Sequence, residues 1–276
     1  MSHTTYNYET LVVTTPSEYV YQVELNRPAK LNAMNKAFWR ELREFFGTVS
    51  TDSDCRVVVL TGAGRAFTAG MDLAEFFTLS DLHEDTARRA FQSKNIILQY
   101  QATFTAIEKC PKPVIAAVHG ACVGGGVDMI TACDMRLCSK GAWFQVKEVD
   151  LGVAADVGTL QRLPKVVGND SWARELCYTA RRVESDEAKE FGLISKIYPD
   201  RESLLKAAFE LASTIAGKSP VAVQGTKVNL VYSRDHSVED SLNYIAAWNM
   251  NMLQTEDMKN AMKANMTKKK AVFSKL

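Results

Sequence analysis

The sequence has few of the features that would mark a metalloprotein, a disulfide-stabilised protein or a membrane protein. No apolar run reaches the roughly 18 residues that a membrane-spanning helix needs. The six cysteines form no CxxC pair and no signal peptide is recognisable, so reduced, packed thiols are expected rather than a disulfide framework. A zinc cluster is not expected either, because the four histidines are far apart in the chain: His3, His83, His119 and His236.

Charge of one sign is also lacking. The 276 residues carry 33 basic and 32 acidic side chains, a formal net charge of +1, which gives no general attraction to nucleic acid. Hydrophobic residues make up 46% and charged residues 24% of the chain, a composition that can bury a sizeable core. The length suits one large domain, or one domain with a helical extension.

Segments typical of strands and helices alternate in the first part of the chain, which predicts an α/β fold with largely parallel, buried strands. After about Gly158 strands become scarce, and a helical extension is expected. The strand candidates are residues 19–26, 55–64, 112–122 and 135–146, and the helix candidates are 35–49, 80–110, 124–135, 185–193, 203–217, 219–232 and 238–254.

Two of the strand candidates end in unusual glycine-rich turns. The first turn is GAGRAFTAGMDL, from Gly62, and the second is HGACVGGGVDM, from His119. Neither has the spacing of a phosphate-binding or dinucleotide-binding loop. Glycines here either permit tight turns or let backbone N–H groups approach an anionic oxygen at a helix start. Two such loops that converge would form an oxyanion hole.

The stretch EVDLGVAADVG carries three carboxylates among apolar residues: Glu148, Asp150 and Asp156. Buried carboxylates are costly unless they are paired, hydrogen-bonded or protonated. Either this stretch lies at the surface, or its acids take part in chemistry.

Several motifs occur in the order and spacing of one family: NRPAKLNAMN, GRAFTAGMDL, KPVIAAVHGACVGGGVDM, ACDMR and FQVKEVDLG. From about Tyr19 to the end, the chain resembles the enoyl-CoA hydratase/isomerase (crotonase) superfamily. The resemblance is strongest to the branch that isomerises 3,5-dienoyl-CoA to 2,4-dienoyl-CoA. Its basis is Asp128, the stretch from Phe144 to Asn169, and the helical stretch from Ser219 to Tyr244.

The resemblance implies a crotonase-like spiral of ββα units with a C-terminal helical region that mediates oligomers. We therefore expect residues 1–200 to form the α/β core with the acyl-CoA site, and residues 201–276 to form the helical region. It also implies a homo-oligomer, either a trimer or a dimer of trimers (a hexamer). The expected ligand is an acyl-CoA thioester, with no cofactor besides the CoA of the substrate and no nucleic-acid partner.

Family members hold the thioester oxygen between two backbone N–H groups. By the motifs, the resemblance implies that the amides of Met71 and Gly125 are those donors here. A backbone donor tolerates any side chain, so methionine at 71 is compatible with the role. The residues implied to line the thioester end are Phe67, Thr68, Ala69, Gly70 and Met71.

The implied reaction, a step of fatty-acid β-oxidation, needs a base at C2 and an acid at C6. We assign Glu148 to C2 and Asp156 to C6, with Asp128 tuning or hydrogen-bonding the pair. In family hydratases the position of Asp128 is glutamate and that of Asp156 is usually glycine, which argues for proton shuttling over hydration. The structural alternatives are a first-turn helix acid for Asp128 and a helix cap near Gly158 for Asp156.

Other functions and other residues remain as alternatives. The chain could be a 2-enoyl-CoA hydratase, a Δ3-Δ2-enoyl-CoA isomerase, or a non-catalytic CoA-binding protein. Arg27 and Lys30 are candidates for binding the CoA adenine. We expect His119 to have no catalytic role, and we expect structural roles for three more acids: Asp72, Asp134 and Asp150.

The chain ends with Ser274, Lys275 and Leu276, the SKL address read by the peroxisomal import receptor. The N-terminal residues lack the Arg-rich pattern of a mitochondrial transit peptide. A peroxisomal location and the import receptor as a partner are therefore expected, provided that the tail is exposed and flexible.

Overall fold

The computed structural model describes residues 6–74 and 82–276. Over these residues it contains nine strands and ten α-helices. The strands are β1 (Leu11–Ser17), β2 (Val20–Leu25), β3 (Val57–Gly62), β4 (Val114–Val118), β5 (Ala121–Val123), β6 (Met135–Ser139), β7 (Trp143–Gln145), β8 (Val183–Glu184) and β9 (Lys196–Tyr198). The helices are α1 (Lys36–Val49), α2 (Thr86–Lys109), α3 (Gly125–Ala132), α4 (Thr159–Val167), α5 (Asp170–Thr179), α6 (Ser185–Glu190), α7 (Arg201–Ala216), α8 (Pro220–Ser233), α9 (Val238–Met252) and α10 (Glu256–Met266).

A six-stranded sheet in the order β1-β2-β3-β4-β6-β9 forms the centre of the fold. Only β1 and β2 pair antiparallel, and the other neighbours are parallel. Every residue of β3 and β4 is buried, as expected for parallel strands covered on both faces. The predicted α/β fold with largely parallel strands is confirmed.

The two faces of this sheet are covered differently. On one face α1 packs with an apolar stripe that includes Phe38, Leu42 and Phe45, and its first turn is capped by the Asn35 side chain. On the other face α7 packs through Leu204 and a run of small residues, Ala208, Ala212 and Ala216. Alanine at this four-residue spacing lets the helix lie close to the sheet.

A second, three-stranded sheet in the order β5-β7-β8 lies next to the glycine loops. The segment 135–146, predicted as strand, forms two strands in different sheets, because the chain turns where the Ala142 amide donates to the Ser139 carbonyl at 2.9 Å. This turn brings β7 beside β5. It therefore leads the chain directly to Glu148.

Some elements are not anticipated by the sequence patterns. These are β1, an edge strand with Pro16, the short strands β8 and β9, and the helices α4, α5 and α10. Helix α4 contains Pro164, which sequence rules read as a helix breaker. The predicted helix 80–110 is confirmed as α2 from Thr86, and its first two residues lie outside the described part of the chain.

The C-terminal helices expected from the resemblance are present. Lys227 of α8 is buried and bonds the carbonyls of Ile107 and Lys112, which ties α8 to the core. Helix α9 buries no residue. The division of the chain at residue 200 stays a prediction. Within the described residues, no helix has the length and apolarity to cross a membrane.

Candidate active site

Residues 67–71 run between two other segments and are joined to both by backbone hydrogen bonds. The first two amides of this segment donate to the carbonyls of His119 and Ala121, both at 2.9 Å. On its other edge, its third amide donates to Leu31 at 2.9 Å, and its fourth carbonyl accepts from Met34 at 2.8 Å. Hydrogen bonds along both edges therefore fix the position of this backbone.

The Met71 amide points away from these partners. The carbonyl of Gly70 and the amide of Asp72 both bond Met34, so the N–H between them faces the opposite side. Gly70 has a φ of +87°, and a Cβ there would lie 2.7 Å from the carbonyl oxygen of Val123. The two glycine loops thus touch backbone to backbone at this point.

The Gly125 amide is the second candidate donor. Gly125 is the first residue of α3, where helical N–H groups have no partner within the helix. A Cβ at Gly70 would lie 3.7 Å from the Gly125 nitrogen, which places this amide beside the first loop. Among the described residues, neither the Met71 nor the Gly125 amide has another hydrogen-bond partner. The two amides can therefore bind one anionic oxygen.

A cavity of about 270 Å³ opens beside these amides. It is mainly apolar, and its wall contains six of the predicted site residues: Ala69, Gly70, Met71, Gly125, Glu148 and Asp156. The rest of the wall was not predicted from the sequence: Trp39, Leu73, Val123, Gly124, Lys147, Leu151, Val153, Ala154 and Val157. Trp39 belongs to the apolar stripe of α1, so its sequence pattern indicates core packing alone.

Phe67 and Thr68 support the wall from behind. Both are fully buried and neither lines the cavity. The Thr68 hydroxyl donates to the Asn32 carbonyl at 2.8 Å and accepts from the Gly70 amide at 3.1 Å. These two residues hold the loop in place.

Glu148 begins a 3-10 turn (Glu148–Leu151) that follows β7. A Cβ on Gly124 would lie 3.2 Å from the Glu148 Oε1, so the carboxylate lies against the second glycine loop. Burial raises the pKa of this carboxyl, and the charge of Asp156 adds to the rise. Its Oε2 is buried without a hydrogen-bond partner among the described residues. Such a group is available to exchange a proton with a ligand.

Asp156 lies on the same cavity wall, and its side chain remains accessible. Burial by the surrounding protein raises its pKa. It does not cap α4, because the cap residue is Gly158 and no side chain of that position can bond. The structural alternative of a helix cap is thus not what the geometry shows.

Asp128 is fully buried in the first turn of α3, and it is not on the cavity wall. Its Oδ1 accepts from the Thr159 amide at 2.5 Å, so Asp128 caps α4 from outside the helix. Burial and the charge of Glu148 raise its pKa to about 7. Its Oδ2 is buried without a hydrogen-bond partner among the described residues. Asp128 therefore links the glycine loop to the segment that carries Asp156.

The remaining candidates have other partners. His119 lies 2.9 Å from the Gly64 carbonyl through its Nε2, and burial lowers its pKa. Arg27 pairs with Asp72 at 3.1 Å, and Lys30 is exposed.

Two further acids form ion pairs with lysines. Asp150 pairs with Lys147, and Asp134 pairs with Lys227 at 2.7 Å. In the described ranges, no cluster of three or more His, Cys, Asp or Glu side chains could hold a metal ion.

The fold described above is shared with one class of protein. The model of the enoyl-CoA hydratase/isomerase family matches residues 15–275, and the chain belongs to this family. A solved enoyl-CoA hydratase from Bacillus anthracis superposes with a TM-score of 0.88 at 30% identity, covering 96% of this chain and 99% of that one. The predicted crotonase-like fold is thereby confirmed.

Relatives within the family are more specific. The chain is 58% identical to a mitochondrial Delta(3,5)-Delta(2,4)-dienoyl-CoA isomerase of Rattus norvegicus, over 98% of this chain and 84% of that protein. It is 46% identical to a peroxisomal Delta(3,5)-Delta(2,4)-dienoyl-CoA isomerase of Arabidopsis thaliana, over 93% of each. The predicted resemblance to this branch is confirmed.

The C-terminal tripeptide contacts the body of the protein. The Arg56 guanidinium donates to the carbonyls of Phe273 and Ser274 at 2.8 and 3.0 Å. Lys275 forms an ion pair with Asp54. The side chain of Leu276 is exposed. The Leu276 side chain is therefore accessible, while hydrogen bonds hold the backbone carbonyls of Phe273 and Ser274.

Proposed function

We propose that this protein isomerises 3,5-dienoyl-CoA to 2,4-dienoyl-CoA in fatty-acid β-oxidation. The observation that carries the proposal is the cavity wall: two carboxyls, Glu148 and Asp156, lie along an apolar cavity that begins at two amides without a hydrogen-bond partner among the described residues. The two relatives described above carry the same reaction in their names.

The amides of Met71 and Gly125 bind the thioester oxygen. Removal of a C2 proton leaves an enolate with its charge largely on that oxygen, where two fixed N–H groups stabilise it. Loss of one such donor typically costs about 3 kcal/mol of transition-state stabilisation.

The proton balance requires two groups. The Glu148 carboxylate accepts the C2 proton, and the electron pair moves through the conjugated chain as far as C6. Asp156, protonated, donates its proton to C6, which leaves double bonds at C2 and C4. At the end Glu148 is protonated and Asp156 is ionised, and both exchange protons with solvent once the product leaves. Burial raises the pKa of both carboxyls, so each takes up a proton more readily than a carboxyl in water does.

Hydration is the main alternative within the family. It needs a second carboxylate beside Glu148 to hold the attacking water. Asp128 is the only one at the matching motif position, and it instead bonds the Thr159 amide away from the cavity wall. This geometry favours isomerisation.

The deciding experiment offers the purified protein 3,5-dienoyl-CoA. We expect the longer-wavelength absorbance of a 2,4-dienoyl thioester to appear. A 2-enoyl-CoA substrate serves as the comparison, and loss of its enoyl band would reveal hydration. Rapid hydration without diene conversion would refute the proposed function.

We further propose a homo-oligomer, a trimer or a dimer of trimers, assembled through the C-terminal helices. Several large apolar side chains of these helices are exposed, as is common at interaction sites: Leu230, Leu242, Met250, Met258, Met262 and Met266. Light scattering on the purified protein measures the state, and a monomer would contradict the proposal.

A peroxisomal location is proposed from Ser274, Lys275 and Leu276 and agrees with the name of the plant relative. The mammalian relative is named mitochondrial, so the compartment needs a direct test. A fluorescent fusion ahead of residue 1 should enter peroxisomes, and deletion of residues 274–276 should leave it in the cytosol. Peroxisomal import that survives the deletion, without a wild-type partner, would contradict the proposal.

A further inference from the structure

We propose that Gln101 and the Glu108–Arg162 ion pair are positioning residues that hold the backbone of residues 156–158. They do so in a way that makes the Asp156 carboxylate face the cavity of about 270 Å³ beside the Met71 and Gly125 amides, here called the acyl cavity. The proposal rests on the role given to Asp156 in the proposed function. None of the three residues lines the acyl cavity, so each acts through this backbone.

The ion pair is buried directly behind the segment. Arg162 lies in the first turns of α4, and its Nε and Nη2 donate to the two carboxylate oxygens of Glu108 on α2, both at 3.2 Å. The Nη2 also donates to the Thr105 hydroxyl at 3.2 Å. Arg234, the residue directly after α8, forms a second ion pair with Glu108. The side chains of Glu108 and Arg162 are each only 11% exposed, so the guanidinium is held in one orientation.

The guanidinium in turn shapes the segment. Gly158 has a φ of +140°, and a Cβ atom there would overlap the Nη1 of Arg162. The backbone can pass this close to the guanidinium because residue 158 is glycine, which has no side chain. Two residues earlier is Asp156, so a shift of the guanidinium would carry the carboxylate with it.

Two further contacts hold the segment from other directions. The Gln101 side-chain amide, one turn before Thr105 on α2, donates to the Asp156 carbonyl at 2.7 Å. Asp128 on α3 accepts from the Thr159 amide. Side chains from α2, α3 and α4 thus contact residues 156, 158 and 159. Glu148 is positioned differently, because its 3-10 turn begins only three residues after the end of β7.

A stability role alone does not explain a buried ion pair at this place. Taking two charges out of water costs about as much as their attraction returns, so apolar residues of similar volume would stabilise the fold as well or better. What an apolar pair would lack is the planar, two-point geometry that fixes a guanidinium. We therefore assign the pair to the geometry of the segment.

The position of the segment makes this geometry relevant to the reaction. Val157 is common to the acyl cavity and to a second, polar cavity of about 330 Å³ that Gln101, Glu108 and Arg162 line. Residues 156–158 are therefore a thin partition between the two. Contacts on the side of the polar cavity therefore determine the position of the Asp156 carboxylate in the acyl cavity. Misplacement of a reacting group by about 1 Å can cost 100-fold in rate.

The test separates proton removal at C2 from proton delivery at C6. In Gln101→Met and Glu108→Gln, kcat for 3,5 to 2,4 conversion should fall about 10- to 100-fold with KM little changed. Exchange of the C2 proton with deuterated water should stay near the wild-type rate, because Glu148 and the two amides are untouched. Arg162→Lys keeps the charge but loses the two-point contact, and it should behave as Glu108→Gln does.

Two controls match these changes. Gln99→Met alters an exposed glutamine two residues away on α2, and Glu187→Gln breaks an Arg181 ion pair outside both cavities. Both should leave conversion and exchange unchanged. If conversion and C2 exchange fall together in the Gln101 and Glu108 variants, or if neither falls, the positioning role is overturned. Absence of conversion by the wild-type protein would instead overturn the proposed function.

Discussion

The two ends of the cavity are built in different ways. At the thioester end the working groups are backbone amides, fixed by hydrogen bonds along both edges of the segment Phe67–Met71. At the acyl end they are side chains on a winding stretch, Glu148–Val157, whose aliphatic members Val149, Leu151 and Val153 are exposed. The first end depends on where glycine allows the backbone to go. The second depends on which acids the sequence provides and how neighbouring helices hold them.

This difference explains how one fold can carry several reactions. A backbone oxyanion hole stabilises the enolate of any acyl-CoA thioester, because it contacts only the oxygen. The reaction that follows is decided by the carboxyls farther along the chain. Changes at the acyl end should therefore alter the reaction, and changes at the thioester end should alter its rate.

The largest effect is expected from Asp156→Asn, which keeps the size and hydrogen bonding of the side chain but removes its proton. Conversion of 3,5-dienoyl-CoA should fall by several orders of magnitude, while acyl-CoA affinity changes little, the pattern of a group used in the transition state. The C2 proton should still exchange with deuterated water. If Asp156→Asn converts 3,5-dienoyl-CoA near the wild-type rate, Asp156 is not the acid at C6, and the acyl end does not decide the reaction.

A smaller loss is expected at the thioester end. A Cβ at Gly125 would lie 3.1 Å from the Met34 sulfur and 3.9 Å from the Trp39 ring, so Gly125→Val pushes on the cavity wall and displaces the amide. We expect conversion and C2 exchange to fall together, by about 100- to 1,000-fold. In the matched variant Met71→Leu the donor is a backbone amide and survives, so both rates should stay close to wild type. A large loss in Met71→Leu would show that the methionine side chain is needed, in addition to the backbone amide.

The smallest effect is expected at Asp128, which links the second glycine loop to the segment that carries Asp156, and it is an effect on stability. The pKa of Asp128 is about 7 in the folded protein against an ordinary value of 3.8, because burial and the charge of Glu148 favour its protonated form. A raised folded pKa means that stability falls as pH rises from about 4 to about 7 and is level above that window. Asp128→Asn can still accept the Thr159 N–H and has no charge to bury.

Unfolding in urea at pH 5 and pH 8 checks this prediction. From pH 5 to pH 8 the free energy of unfolding of the wild-type protein should fall, by a few kcal/mol at most for a pKa shift of this size. The free energy of unfolding of Asp128→Asn should not show this fall. Asp150→Asn is the control, because Asp150 is an exposed acid paired with Lys147. Equal pH dependence in wild type and Asp128→Asn would show that the Asp128 carboxyl does not titrate in this window.

The local features of the fold follow from the sequence patterns. The buried strands β3 and β4 and the helix α1 were predicted because each has a strong periodicity or a continuous apolar run. The turn between β6 and β7 was not, since two short strands in different sheets look like one strand along the chain. Helix α4 was obscured by Pro164, whose effect on the helix is overridden by tertiary contacts.

For the site, the sequence by itself determined which chemical groups are available: two glycine-rich loops and three acids in a recognisable order of motifs. Only the tertiary structure decided their places. It put Glu148 and Asp156 on one apolar wall and turned Asp128 away from that wall to bond the Thr159 amide. It also brought Gln101, Glu108 and Arg162 behind residues 156–158. The reason is that hydrogen bonds and burial depend on distance in space, and the contacts of Asp128, Gln101 and Glu108 join residues 31 to 55 positions apart, which leaves no local signal in the chain.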